Sequence, residues 1–169
     1  LWVTLAGTGM RPGEAMALAW RHVDLEAATI TVERTVTDAA GGGKRVGDAT
    51  KTGRARVVPI GADVVEALRT WRREAGATGL WRIRPDELIW PAVRDPHKAV
   101  SARSVGTAWH AACERVGVSH AAIGSLRHLH ASTLMAAGVP PQAVADRLGH
   151  SIQQTMLRYG VHVPVDART

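Results

Sequence analysis

Apolar positions recur along this chain at two spacings, one helical and one alternating, and together they divide it into short elements. Near the start, Leu5, Met10 and Leu18 stand among small residues, and Gly7, Gly9 and Pro12 interrupt them. This predicts two short helices with a turn near Gly9. Pro12 suits the first turn of the second helix, and Glu14 suits its positive end. Over residues 28–36, Ile30, Val32 and Arg34 alternate with Thr29, Thr31 and Glu33, the period of a strand. Residues 55–60 read as a second strand, carrying Val57, Val58 and Ile60. The segment between them holds three glycines at 41–43 and Thr50-Lys51-Thr52-Gly53, and is expected to form the far end of one β-hairpin.

Beyond Gly61 the pattern turns helical, with Val64, Val65, Leu68 and Trp71 on one face. Residues 76–97 carry Pro85, Pro91 and Pro96 and read as irregular. A helix is expected over 101–116. The next begins with Ser125 as its cap and stops at Gly138. Another opens at Pro140-Pro141 and closes at Gly149, and a last short one covers 152–159. The expected fold class is α+β: a single, mainly helical domain over residues 1–169 with one small antiparallel sheet towards its front.

Composition narrows the function classes. At 169 residues and 46% hydrophobic content, the chain can build one real core. It holds no apolar run of membrane-spanning length, so no membrane partner is expected. The first residue is Leu1, inside an apolar stretch with no charged region before it, which reads as the middle of a longer protein rather than a signal peptide. A lone cysteine, Cys113, builds no intrachain disulfide framework and fits a reducing cytoplasmic setting; its ordinary role is a small buried hydrophobe. The formal charge of +6 suits a polyanion such as nucleic acid. Only Lys44, Lys51 and Lys98 are lysines, which singles each out, because Lys can release a proton at working pH and Arg cannot. Six Trp residues are scattered in the manner of core aromatics, while Tyr159 is the single phenol.

Five segments carry candidate chemistry. They are Thr8-Gly9-Met10-Arg11-Pro12-Gly13-Glu14, then Lys51-Thr52-Gly53-Arg54-Ala55-Arg56, then Leu126-Arg127-His128-Leu129-His130, then Leu148-Gly149-His150, and Tyr159 nine residues later. Cutting a phosphodiester and conserving its energy requires a side-chain nucleophile, fixed cations around the non-bridging oxygens, and an acid for the leaving oxygen. Arg forks, a lysine and a phenol are groups of those kinds.

In this order and at these spacings, from about residue 4 to 163, the segments resemble the tyrosine recombinase (phage integrase) family. The resemblance implies a catalytic domain that cuts and rejoins double-stranded DNA through a 3′-phosphotyrosyl link, with no cofactor, metal or ATP. Arg11 and Arg127 match the two phosphate-gripping arginines. Glu14 matches an acidic position that orients the site, and Lys51 the hairpin lysine that serves as general acid. His150 matches the phosphate-bonding histidine-or-tryptophan position, and Tyr159 the nucleophile. His128, beside Arg127, matches a histidine read as structural. One position departs: where the family carries a histidine three residues before its second arginine, this chain has Gly124, with His120, His128 and His130 nearby as possible substitutes. The resemblance further implies an N-terminal DNA-clamping domain outside this chain, a homotetramer on DNA for the whole protein and nucleoid association when bound. The chain by itself is expected to be monomeric.

Each segment has a plainer reading. Arg11 and Lys51 suit solvated surface positions, His150 a helix-end contact, and Tyr159 a half-buried aromatic. Arg127, between apolar neighbours, is the exception, because an unpaired buried charge is costly. Two other functions compete. A DNA-binding module without chemistry, or an integrase remnant, would use residues 135–148 as a helix-turn-helix and be indifferent to Tyr159. A metal-dependent nuclease is disfavoured, because the carboxylates and histidines lack ligand spacing.

Overall fold

The computed structural model describes residues 1–38, 44–47, 55–78, 83–118 and 121–159. Two short helices, α1 (Trp2–Thr8) and α2 (Pro12–Met16), open the chain. Gly9 ends α1 at φ 66°. A side chain there would be strained by that angle, and its Cβ would also lie 2.6 Å from Leu148 Cδ2 and 2.7 Å from His130 Cδ2. After a 3-10 turn at Trp20–His22 come β1 (Val23–Asp24) and β2 (Thr29–Val32). The turn between these strands is held by Asp24, whose carboxylate accepts the amides of Glu26 and Ala27.

The alternation read over residues 28–36 does not give one strand. It breaks at Glu33-Arg34, and a separate hairpin of β3 (Thr35–Asp38) and β4 (Lys44–Gly47) follows. Burial explains the break: Ile30 and Val32 are fully buried, whereas Glu33 turns back to bond the ring of His22 at 3.0 Å. β2 pairs with β5 (Arg56–Pro59), as the two strands of the expected hairpin do, Ile30 opposite Val58 and Val32 opposite Arg56. Strand order in this sheet is β1-β2-β5, all antiparallel.

Helix α3 (Ala62–Ala77) lays Val64, Val65 and Leu68 on that core. The stretch read as irregular contains a second unforeseen hairpin, β6 (Pro91–Ala92) with β7 (Asp95–Ala99). The fold is α+β as expected, with three small antiparallel sheets among the described residues rather than one. Helix α4 (Ala102–Arg115) is capped by Ser101, whose hydroxyl accepts the Ser104 amide, and buries Cys113. Of the tryptophans, Trp20 and Trp90 lie in the core, while Trp2 and Trp109 meet edge to face.

Three helices complete the chain: α5 (Ser125–Ala136), α6 (Pro141–Leu148) and α7 (Ile152–Tyr159). Ser125 does not cap α5. Gly124 is the cap residue, and the Ser125 hydroxyl donates backwards to the Ala122 carbonyl at 2.6 Å. A second cluster, Ala131, Met135, Val144 and Leu148, joins α5 to α6.

Candidate active site

Arg11 caps α2 with an extended backbone (φ −69°, ψ 147°), and Glu14 folds back onto it from the third helical position. The Glu14 carboxylate accepts the Arg11 amide at 2.9 Å and the Arg11 guanidinium Nη1 at 2.9 Å. Glu14 is almost wholly buried, so an ionised carboxylate there needs strong compensation. Arg56, on β5, supplies it with Nη2 at 2.7 Å and Nη1 at 3.3 Å. Burial raises the Glu14 pKa, but the Arg56 hydrogen bond and charge, with the Arg11 contacts, outweigh it and hold the carboxyl below its ordinary value.

Arg127 enters from α5 and is 7% exposed. Its Nη1 donates to the Gly9 carbonyl at 2.6 Å, two residues before Arg11, and its Nη2 to the Leu148 carbonyl at 2.6 Å. Nη2 also meets His150 Nε2 at 2.7 Å. A guanidinium only donates, so Nε2 accepts and the proton of the neutral ring sits on Nδ1. That Nδ1 is buried and has no hydrogen-bond partner among the described residues. Burial first, then the charges of Arg127, Arg11, Arg158 and Arg56, lower the His150 pKa to about 4. His150 is brought here by Gly149, which ends α6 at φ 66°. A Cβ at residue 149 would lie 3.0 Å from Arg56 Nη1, so the guanidinium rests against the bare glycine.

Four of the predicted residues therefore converge: Arg11, Glu14, Arg127 and His150. Tyr159 is the last residue of α7, one position after Arg158. Lys51 and His120 lie outside the described residues. His128 is exposed on α5. His130 is not available to replace the missing histidine. Its Nδ1 meets the Ala6 carbonyl at 2.8 Å and its Nε2 accepts from Arg147 Nε at 2.8 Å, so both nitrogens are occupied. Gly124 borders open space: a Cβ there meets nothing within 4 Å.

Sequence reasoning passed over Arg56 and Arg147. Arg147, on α6, reaches the Pro59 carbonyl at 2.7 Å and the Gly7 carbonyl at 3.1 Å besides His130. A signal for Arg56 was present. It lies two residues before Val58, hence on the inward face of its strand, where an arginine needs an anion. Among the described residues no group of three or more His, Cys, Asp or Glu side chains could hold a metal ion, and no helix is long and apolar enough to cross a membrane.

Residues 3–164 match the family model described as the phage integrase family. The chain belongs to that family, the tyrosine recombinases. This member is 30% identical over 185 residues to the prophage integrase IntR of Escherichia coli strain K12, covering 96% of this chain and 43% of that protein. To the tyrosine recombinase XerC of Xanthomonas campestris pv. campestris it is 30% identical over 145 residues, covering 85% and 38%. Its fold is similar to that of the Tn1549 transposon integrase in complex with transposon right end DNA, with a TM-score of 0.77 at 23% identity over 94% of this chain and 52% of that one. The chain thus spans less than half the length of the curated relatives it matches.

Proposed function

We propose that this chain is the strand-cleaving domain of a site-specific DNA recombinase acting on double-stranded DNA. The Tyr159 phenol oxygen attacks the scissile phosphorus, gives up its proton to solvent or a nearby base, a P–O bond forms to the tyrosine, and the bond to the 5′-oxygen breaks. The strand is then held as a 3′-phosphotyrosyl link, and the departing 5′-oxygen takes its proton from Lys51. Attack by the freed 5′-hydroxyl of a partner strand reverses the step. Arg11 and Arg127 neutralise the non-bridging oxygens as charge develops, His150 donates its Nδ1–H to one of them, and Glu14 holds Arg11 in place.

The observation that carries this reading is the convergence of the two arginines on His150. The ring is neutral at pH 7, its Nε2 is taken by Arg127, and its buried Nδ1–H has no partner among the described residues. A donor left so, among guanidinium groups, suits an anion with acceptor oxygens. Gly124 favours a second reading, a family member that binds DNA without cutting it, because glycine offers no side chain to move a proton.

Covalent trapping separates the two. The full-length protein is incubated in EDTA with nicked duplex from its own genomic flanks, and protein–DNA adducts that survive SDS are scored. The expected result is an adduct in wild type that disappears in Tyr159→Phe. Tight DNA binding with no adduct in wild type would reject the cleavage reading.

A further inference from the structure

We infer that Arg56 is a positioning residue of this site, setting Arg11 through Glu14 and His150 through the end of α6. The inference rests on the cleavage reading above but adds a residue to which that reading gives no part.

Arg56 is fully committed. Two of its nitrogens hold the Glu14 carboxylate, and the third, Nε, donates to the Arg147 carbonyl in the last turn of α6 at 2.9 Å. Its side chain is 10% exposed, whereas that of Arg11 is 28% exposed. Arg11 gives one side-chain nitrogen to Glu14, and its Nη2 and Nε have no hydrogen-bond partner among the described residues. The two arginines on one carboxylate therefore differ in kind. Arg56 faces inward, and Arg11 keeps donors to present.

The geometry joins three segments that are far apart in sequence. Glu14 belongs to α2, Arg56 to β5, and the carbonyl of Arg147 to α6. Gly149 lies close against the guanidinium, and His150 is the next residue. Moving Arg56 would free Glu14 to rotate and would loosen the turn that delivers His150. A displacement of about 1 Å at such groups can cost on the order of 100-fold in rate. A plain buried ion pair is the competing account, and it predicts loss of folding without a change in the chemistry.

Single-turnover cleavage of nicked duplex, at saturating full-length protein and across pH 5 to 9, distinguishes these accounts. Wild type, Arg56→Gln and Arg56→Lys are compared, each with Glu14 intact and as Glu14→Gln, with thermal melts alongside. Arg56→Gln is expected to lose roughly 100-fold in rate, with DNA affinity changed less than about threefold. Arg56→Lys should recover part of the loss, because it restores the charge. The acid limb of the rate profile should move to higher pH in Arg56→Gln, since Glu14 loses the partner that favours its ionised form. In the Glu14→Gln background, Arg56→Gln should add little, because the two act as a unit.

A rate loss that merely follows the unfolded fraction, or effects that multiply independently, would overturn the inference. If wild type forms no adduct, the cleavage reading fails by itself, and Arg56 is judged by the crystal structure of Arg56→Gln: displaced Arg11 and His150 side chains support positioning, and unmoved ones in a folded protein refute it.

Discussion

The front of the molecule, α1 to α3 with the β1-β2-β5 sheet, and the back, α5 to α7, are held together differently. The front has a broad apolar core running from Leu5 through Ile30, Val58 and Leu68 to Ile89, with Ile123 and Leu126 packed onto its margin. The back has a smaller apolar cluster of four buried residues, Ala131, Met135, Val144 and Leu148. Much of what ties it to the front is polar. Arg127 bonds the Gly9 carbonyl, Arg147 those of Gly7 and Pro59, and His130 that of Ala6, while Arg56 reaches across in the other direction. The seam between the regions is also where the candidate site lies. The side chains proposed to meet an anion are the same ones that fasten the helices, so on that reading stability and function are coupled here more closely than in the front core.

The most severe way to break this arrangement is Arg127→Met. It keeps an apolar stem but strands two carbonyls and the acceptor nitrogen of His150. At roughly 1–3 kcal/mol for each stranded group, the loss should be about 4 kcal/mol. Urea denaturation measures it, and hydrogen exchange locates it. Amides of α5 to α7 should lose protection while β2 and β5 keep theirs. Equal loss in both regions would mean that they form one cooperative unit and that the contrast is superficial.

Acid should loosen the same seam by a smaller amount. His150 has a folded pKa of about 4, below its ordinary 6.5. The folded state therefore binds fewer protons, so its contribution is fully present above pH 6.5 and is lost as pH falls from there towards 4. A fall from 6.5 to about 4 corresponds to roughly 3–4 kcal/mol, which solvent screening at this partly exposed ring cuts to on the order of 2–3 kcal/mol. Burial also lowers His130 in the back and His22 in the front, so the comparison must be differential. Urea midpoints of wild type and His150→Gln should converge as pH drops from 7.5 to 4.5. A constant gap would show that His150 does not titrate in this window.

How much of this was legible in the sequence follows the same division. The back helices were readable to within a residue or so, because Gly138, Pro141 and Gly149 mark their ends chemically. Four members of the candidate site could be named because each sits in a short motif. The front was harder. A strand at residues 28–36 looked continuous because period-two alternation does not reveal where a side chain such as Glu33 will turn to find His22. The hairpin β6–β7 is short and proline-bounded, held partly by the Trp90 carbonyl accepting the Val100 amide, a tertiary contact with no local signature. Arg56 and Arg147 were missed for a related reason. Most of their partners are backbone carbonyls, joined by the Glu14 carboxylate and the His130 ring, all brought near by folding, and carbonyl positions carry no residue code.

The smallest expected change in stability comes at a glycine of this region that has both room and an ordinary backbone angle. Gly9 and Gly149 hold positive φ angles and would crowd any added side chain. Gly124 has φ −64° and ψ −19°, ordinary for any residue, and open space around its missing Cβ. Gly124→His should therefore fold with a stability change of less than about 1 kcal/mol, the scale of a helix-cap substitution. Its effect on chemistry should be out of proportion to that. Positioned general acid–base groups contribute about 10²–10⁴-fold, so a cleavage rate raised by roughly 10-fold or more would show that glycine limits the step. The same adduct assay measures it, with melting curves to confirm unchanged folding. An unchanged rate in a folded, cleaving protein would show that proton transfer at the tyrosine is already served without a residue 124 side chain. The occupied nitrogens of His130 exclude that ring as the server and leave His120, His128 or solvent.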